Sequence, residues 1–252
     1  MNSISANLNI MIKASEKASK ILIRDFGEVE KLQVSVKGPA DFVTSSDEKA
    51  EKIIIDELSK ARKNFSILGE ESGKTKGKDK NNVWIIDPID GTNNFLHGIP
   101  HFSISIALKS NNEIISGVVY DPIKDEMFYA EKNNGAFVNN KRIRVSKRKN
   151  LDDCIIGTSG NYVEILHKKI KNKLTIRSSG SAALDMAYVA SGRYDAFFQK
   201  KLNLWDVAAG VIIVKEAGGQ VSDLNFNEHN NVKMLAANSS LNDKLIKNII
   251  NF

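Results

Sequence analysis

A chain of 252 residues, 42% hydrophobic and 26% charged, has the size and composition of a globular protein with an extensive core, and no run approaches the ~18 apolar residues of a membrane span. The first residues, MNSISANLNIMIK, lack a basic segment followed by an apolar stretch and a cleavage site, so the cytoplasm is the expected location; the lone Cys154 excludes an intrachain disulfide and a thiolate metal site. A net charge of +6 suits a nucleic-acid partner and an anionic small molecule equally well, but the basic residues are scattered and no aromatic residues interleave with them.

Apolar residues at Leu8, Met11, Ile12, Ala14, Ala18, Ile21 and Leu22 recur at helical spacing. Gln33 to Lys37 reads as a short strand, turned by Gly38 and Pro39. Ala50, Ile53, Ile54 and Leu58 define a second helix, with N-cap candidates at Thr44 to Ser46 and Asp47 in the first turn, where a carboxylate complements the helix dipole. Phe65 to Leu68 is apolar and ends in Gly69, Glu70 and Glu71. The polar Ser72 to Asn82, SGKTKGKDKNN, reads as a mobile loop and a candidate lid.

The stretch VWIIDPIDGTNNF, Val83 to Phe95, carries the densest chemistry. Val83 to Ile86 reads as a buried strand that Pro88 is expected to end, with Asp87 at its close and Asp90, Gly91 and Thr92 in a tight turn opening a helix. Taken by itself the string is also satisfied by an Asx-type turn. Asp87, however, directly follows an apolar strand, and two carboxylates at the mouth of a sheet are costly as charges unless a cation lies between them. Mg²⁺, which takes oxygen ligands, meets that need, and the Gly91 and Thr92 amides would offer N–H groups to an anion. His97 and His101 are set aside, because hard-cation chemistry does not call for imidazole.

Ser103 to Leu108, Ile114 to Tyr120, Glu126 to Ala130 and Ala136 to Val138 read as consecutive strands of an antiparallel sheet. The basic run Lys141, Arg142, Arg144, Lys147, Arg148 and Lys149 alternates with Ile143 and Val145, as in a strand with a solvated face. From Leu151 onward strands and helices alternate: Cys154 to Gly157, Tyr162 to Lys171, Leu174 to Arg177, Ala182 to Ala190, Ala196 to Phe198, Val207 to Glu216, Val221 with Ser222, Met234 to Ala237 and Leu241 to Ile250. The sum is an α+β half, residues 1–148, joined to an α/β half, residues 149–252. Val207 to Glu216 is apolar nearly all round, as in a buried helix, and Asp206 precedes it in an N-cap position.

WIIDPIDGTNNFLH and WDVAAGVIIVKEAGG, about a hundred residues apart, resemble the two signature motifs of the inositol monophosphatase family, Mg²⁺-dependent and lithium-sensitive phosphomonoesterases related to fructose-1,6-bisphosphatase. Lys37, Ala40, Asp41, Val43, Thr44 and Asp47 match a further family pattern, KxxADxVTxxD, and the likeness spans roughly Asn7 to Ile250. It implies a layered αβαβα sandwich with the active site between the halves. It also implies two or three Mg²⁺ ions, one held by Glu70, Asp87 and the Ile89 carbonyl and another by Asp87, Asp90 and Asp206.

In that scheme Thr92, hydrogen bonded to Asp47, orients the attacking water, the Gly91 and Thr92 amides hold the phosphate, and no covalent intermediate forms. Gly180, Ser181 and Ala182 match a segment whose backbone faces the substrate hydroxyls, which Asp90 also reaches. Gln199 stands where inositol-specific members carry a glutamate, and Lys201 where a glycine is common. The implied substrate is a small sugar or polyol phosphate, inositol monophosphate first, in a cytoplasmic homodimer. Fructose 1,6-bisphosphate, histidinol phosphate and a nucleotide 3′-phosphate are alternative substrates, and an RNA or transcription-partner binding module is the non-enzymatic alternative.

Overall fold

The computed structural model describes residues 4–28, 34–36, 42–160, 162–170, 174–226 and 229–249. Its elements in order are α1 (Ala6–Phe26), β1 (Val34–Val36), β2 (Phe42–Thr44), α2 (Ser45–Ala61), β3 (Ser66–Gly69), β4 (Gly73–Thr75), β5 (Asn82–Asp90), α3 (Thr92–Leu96), β6 (Ser103–Ser110), β7 (Glu113–Asp121), β8 (Glu126–Glu131), β9 (Gly135–Val138) and β10 (Lys141–Arg142). A 3₁₀ turn at Leu151–Asp153 leads to β11 (Ile155–Gly157), α4 (Tyr162–Lys169), β12 (Thr175–Arg177), α5 (Ala182–Ala190), β13 (Ala196–Leu202), α6 (Leu204–Glu216), β14 (Gly219–Val221), β15 (Val232–Asn238) and α7 (Ser239–Ile249). Gln33, Lys37, Gly38, Pro39, Ala40 and Asp41 lie outside the described residues.

Two sheets organise the chain. The larger has eight strands in the order β10-β9-β8-β7-β6-β5-β3-β4, the smaller five in the order β12-β11-β13-β15-β14, and β1 with β2 forms a separate two-stranded ribbon. Neighbours in the large sheet are antiparallel except β3 and β5, which run parallel. The small sheet is mixed, with β11 parallel to both β12 and β13, and β15 antiparallel to β13 and β14.

Side-chain alternation sorts the core into layers. On β5, Trp84 and Ile86 point to one face, where they meet Leu8, Met11 and Leu22 of α1 and Ala50, Ile54 and Leu58 of α2. Ile85 points to the other face and joins a cluster built from α5, α6 and the inner residues Phe197, Met234 and Ala236 of the small sheet. Beyond that sheet, Ile156, Phe198 and Leu235 pack with Leu166 of α4 and Leu241 and Leu245 of α7. The order α1/α2, sheet, α5/α6, sheet, α4/α7 is the expected αβαβα sandwich. A strand buried on both faces is apolar without alternation, which is why Val83 to Ile86 stood out.

Three expectations change. The polar stretch after Ser72 is not wholly a loop: β4 pairs along β3, and Asp79 closes a turn by accepting the Asn81 N–H at 2.8 Å. Pro88 does not end β5, which runs on to Asp90. Finally, α6 begins at Leu204, so Trp205 and Asp206 lie inside it.

Burying α6 between sheets requires that its neighbours be small. Ala107, Gly117, Ala130 and Ala136 are cross-strand partners in one row over β6, β7, β8 and β9, and this row meets the helix. A Cβ on Gly117 would lie 2.7 Å from the Ala209 carbonyl oxygen and 2.6 Å from Ile212 Cγ2, a backbone conflict that no rotamer relieves. Gly117→Ala is therefore expected to cost about 1–3 kcal/mol, read as a lowered urea midpoint with an unchanged slope.

Candidate active site

Because β3 and β5 are parallel, with Gly69 opposite Ile86, both leave the sheet at the same edge. The Glu70 N–H donates to the Ile86 carbonyl at 3.1 Å, which brings Glu70 beside Asp87. The β5–β6 ladder pairs Asp87 with Ser105, slips, and resumes with Asp90 opposite Ser103. Two residues of β5 thus stand against one of β6, a bulge that tolerates Pro88, whose nitrogen has no proton to give. The bulge also has a chemical effect. Residues three apart on a regular strand face opposite ways, but partners two apart, Ser105 and Ser103, share a face, so Asp87 and Asp90 both point toward α5 and α6.

The remaining acids come from helices. Asp206 is the third residue of α6, and its Oδ2 accepts the Asn203 N–H at 2.8 Å, reaching back to the helix start rather than capping it from outside. Ser105 Oγ donates to the Trp205 carbonyl at 3.2 Å and ties that start to β6 beside Asp87. Asp47, on α2, is buried, and its charge acts on Glu70.

Asp90 is gripped from the second half of the chain. The Ser181 hydroxyl donates to its Oδ2, the Ala183 N–H to the same oxygen at 2.9 Å, and the Ala182 N–H to Oδ1 at 3.3 Å. These donors form the N-terminus of α5, where a carboxylate is favoured. Of the Gly180 to Ala182 backbone expected to face the substrate hydroxyls, the Ala182 amide is therefore engaged with Asp90. Gly91 completes the junction: its φ of +101° suits glycine, and a Cβ there would lie 3.4 Å from the Gly180 oxygen. Asn94 Nδ2 bridges the same gap, donating to the carbonyls of His101 (2.7 Å) and Ser179 (2.8 Å).

The hydroxyl proton of Thr92 goes to the Ile89 carbonyl at 2.9 Å rather than to Asp47, because a threonine three residues on reaches its own turn first. Lys201 adopts φ +59° at the register shift of β13, a left-handed conformation that favours glycine.

These residues enclose a cavity of about 560 Å³. Glu70, Asp87, Ile89, Asp90, Gly91, Thr92, Gly180, Ser181, Ala182, Gln199 and Asp206 all line it; Asp47 stands behind. Sequence reasoning missed Asp185, Ser159 and Asn203 in the lining, and Glu51 next to it. Glu51, buried one turn after Asp47 on α2, accepts the Glu71 N–H at 3.0 Å and the Ser72 N–H at 2.7 Å, and so fixes the turn that carries Glu70. An acidic i,i+4 pair on the apolar face of a helix was the available signal.

Packing the acids together shifts their proton affinities. Burial, reinforced by the charge of Asp47, pushes Glu70 up to about 8. Burial raises Asp90 to about 6 against the pull of the Ser181 hydroxyl and the α5 amides. Asp87 and Asp206 stand well above the usual carboxylate range, through burial first and then through the charges of Glu70 and Asp90 respectively. Asp87 Oδ1 is buried without a hydrogen-bond partner. Among the described residues no three His, Cys, Asp or Glu side chains have their ligand atoms drawn together as around an ion. The carboxylates are neighbours that raise one another without closing on a point, and an orphaned hard oxygen among raised carboxylates fits a divalent cation.

A five-layer αβαβα sandwich with an acid-lined cavity where β3 and β5 end and α5 and α6 begin is the architecture of the inositol monophosphatase and fructose-1,6-bisphosphatase type. The model of the inositol monophosphatase family matches residues 5–251, and the chain belongs to this family of phosphoric monoester hydrolases. It is 51% identical over 228 residues to a protein of Rhizobium meliloti named inositol-1-monophosphatase, covering 87% of this chain and 86% of that one. It is 41% identical over 229 residues to the Nus factor SuhB of Pseudomonas aeruginosa, covering 86% and 84%. The crystal structure of the extragenic suppressor protein suhB of Bartonella henselae superposes with a TM-score of 0.91 at 49% identity, covering 96% of this chain and 98% of that one.

Glu70 and Asp90 hold protons in the folded chain that the unfolded chain, with ordinary values of 4.5 and 3.8, releases at lower pH. The folded state therefore binds more protons than the unfolded between about pH 4 and 8, and this part of the stability, full at the acid end, is lost as pH rises through the window. In divalent-free buffer the thermal midpoint is expected to fall between pH 5 and 8, with Mg²⁺ restoring more of it at pH 8 than at pH 5. A midpoint unmoved by Mg²⁺ at either pH would contradict the fit.

Proposed function

We propose that the protein is a Mg²⁺-dependent phosphomonoesterase acting on a small sugar or polyol phosphate, inositol monophosphate first, with water as the nucleophile and no covalent intermediate. One observation carries this reading. Among the described residues six carboxylates line the cavity, Glu70, Glu71, Asp87, Asp90, Asp185 and Asp206, and no lysine, arginine or histidine does. A phosphate dianion would be repelled from such a surface, so a phosphatase built this way needs divalent cations.

Glu70, Asp87, Asp90, Asp206 and the Ile89 carbonyl would hold them. When bound, the ions supply positive charge for the phosphate and acidity for a water molecule. The chain's own groups do the rest. The Gly91 and Thr92 amides, at a helix start without intrahelical acceptors, are placed to bind phosphate oxygens. The Ser181 hydroxyl is committed to Asp90 and that of Thr92 to Ile89, and among the described residues no lining histidine, lysine or cysteine is available to activate or replace them as a nucleophile. The name of the Rhizobium relative supports inositol phosphate, whereas Gln199 gives a neutral amide where a charged acceptor would bind hydroxyls more strongly. The family reading brings with it lithium inhibition and a homodimer. Among the described residues no helix is long and apolar enough to cross a membrane.

Asp87→Asn and Asp206→Asn are each expected to lower Mg²⁺-dependent kcat at least a hundredfold with folding intact, assayed by phosphate release from inositol 1-phosphate, fructose 1,6-bisphosphate, histidinol phosphate and a nucleotide 3′-phosphate. Retention of turnover in both variants would refute the ligand assignment, and a dominant rate on another ester would move the substrate.

The Pseudomonas relative's name supports a second reading, a transcription factor in which a basic surface contacts RNA. On that reading RNA affinity falls steeply with salt and survives Asp87→Asn. Salt-independent or absent RNA binding in a mobility-shift titration eliminates it.

A further inference from the structure

One lining carboxylate feels the charge of Asp90 but belongs neither to the residues that would hold the ions nor to the turn that carries Glu70. Asp185 sits in the first turn of α5, 2% exposed, and lines the cavity. Its Oδ1 accepts a hydrogen bond from Ser179 Oγ at 2.7 Å, the one such bond it receives among the described residues. A carboxylate offers about four acceptor positions, and burial holds this one well above the usual carboxylate range. Gly157 leaves it room: a Cβ there would lie 2.9 Å from Asp185 Oδ2 and would push the side chain aside. Were its purpose to anchor Ser179, a neutral acceptor would serve with less desolvation. A buried carboxyl with one partner, at the wall of a cavity, fits a ligand that brings the missing donors.

Chemistry decides which part of a substrate that is. A carboxyl group offers a phosphate no positive charge and repels it when ionised, so the portion facing Asp185 is neutral and rich in hydrogen-bonding groups, while the phosphate lies toward the divalent cations. We propose that Asp185 binds the hydroxyl groups of the alcohol moiety and thereby selects phosphate esters of polyols over those of alcohols that bear no hydroxyl. This rests on the phosphomonoesterase reading above. A site built to pair with substrate hydroxyls rejects an analogue without them, because its own buried group is then left unpaired.

The test compares the wild type with Asp185→Ala and Asp185→Val, the second keeping most of the volume in case the first does not fold, each with Mg²⁺ on myo-inositol 1-phosphate and on p-nitrophenyl phosphate. The expected result is at least a tenfold loss of kcat/KM on the inositol ester, carried by KM, with p-nitrophenyl phosphate turnover within twofold of wild type. Equal losses on both esters would reduce Asp185 to structural support, and no loss on either would remove it from the substrate; both outcomes overturn the proposal and leave the phosphatase standing. A wild type inert on both esters overturns the phosphatase reading and this proposal with it.

Discussion

The grip of the α5 N-terminus on Asp90 is the interaction on which the site depends. Residue 90 ends a strand of the large sheet, whereas Ser181, Ala182 and Ala183 open a helix packed between the two sheets. One carboxylate therefore joins two halves of the chain at the point where the cavity lies. The bond set also decides how that carboxylate titrates: burial raises it, and three donors hold the rise to less than burial alone would produce. Around it, Gly91 and Asn94 keep the strand end and the helix start within contact distance.

A second constraint is geometric. Collecting like charges in a protein interior opposes folding, and the chain manages it with ordinary devices. A bulge at Pro88 turns Asp87 and Asp90 to one side, a parallel strand pair delivers Glu70, and a helix start pinned by Ser105 delivers Asp206. A row of small residues lets α6 lie close to the sheet. Only the coincidence of these devices produces a strongly acidic cavity with no basic side chain among the described residues of its lining.

Much of this was legible in the sequence. Helical periodicity located α1 and α2, the apolar run located β5, and two long motifs named three of the acids that line the cavity, Asp87, Asp90 and Asp206. What escaped had long-range causes. Pro88 marks a strand end by every local rule, and only the partner strand β6 shows that it sits in a bulge. Asp185 and Glu51 look like ordinary acids of helical turns, because the groups that give them meaning, Ser179 with the cavity and the Glu71–Ser72 turn, are fixed by folding. The engagement of Ser181 with Asp90 spans 91 positions, and no local pattern announces such a bond.

The large sheet contains a single parallel neighbour pair, β3 with β5. In a meander, consecutive strands exit at alternate borders, so acids at adjacent strand termini would be kept a strand length apart. Inserting one same-direction pair gives two adjoining strands a common exit, and the chemistry gathers there. The hairpin succession from β7 to β10 is left outside that arrangement, free to change its loops and outer edge over evolutionary time without disturbing a proton or a ligand in the cavity.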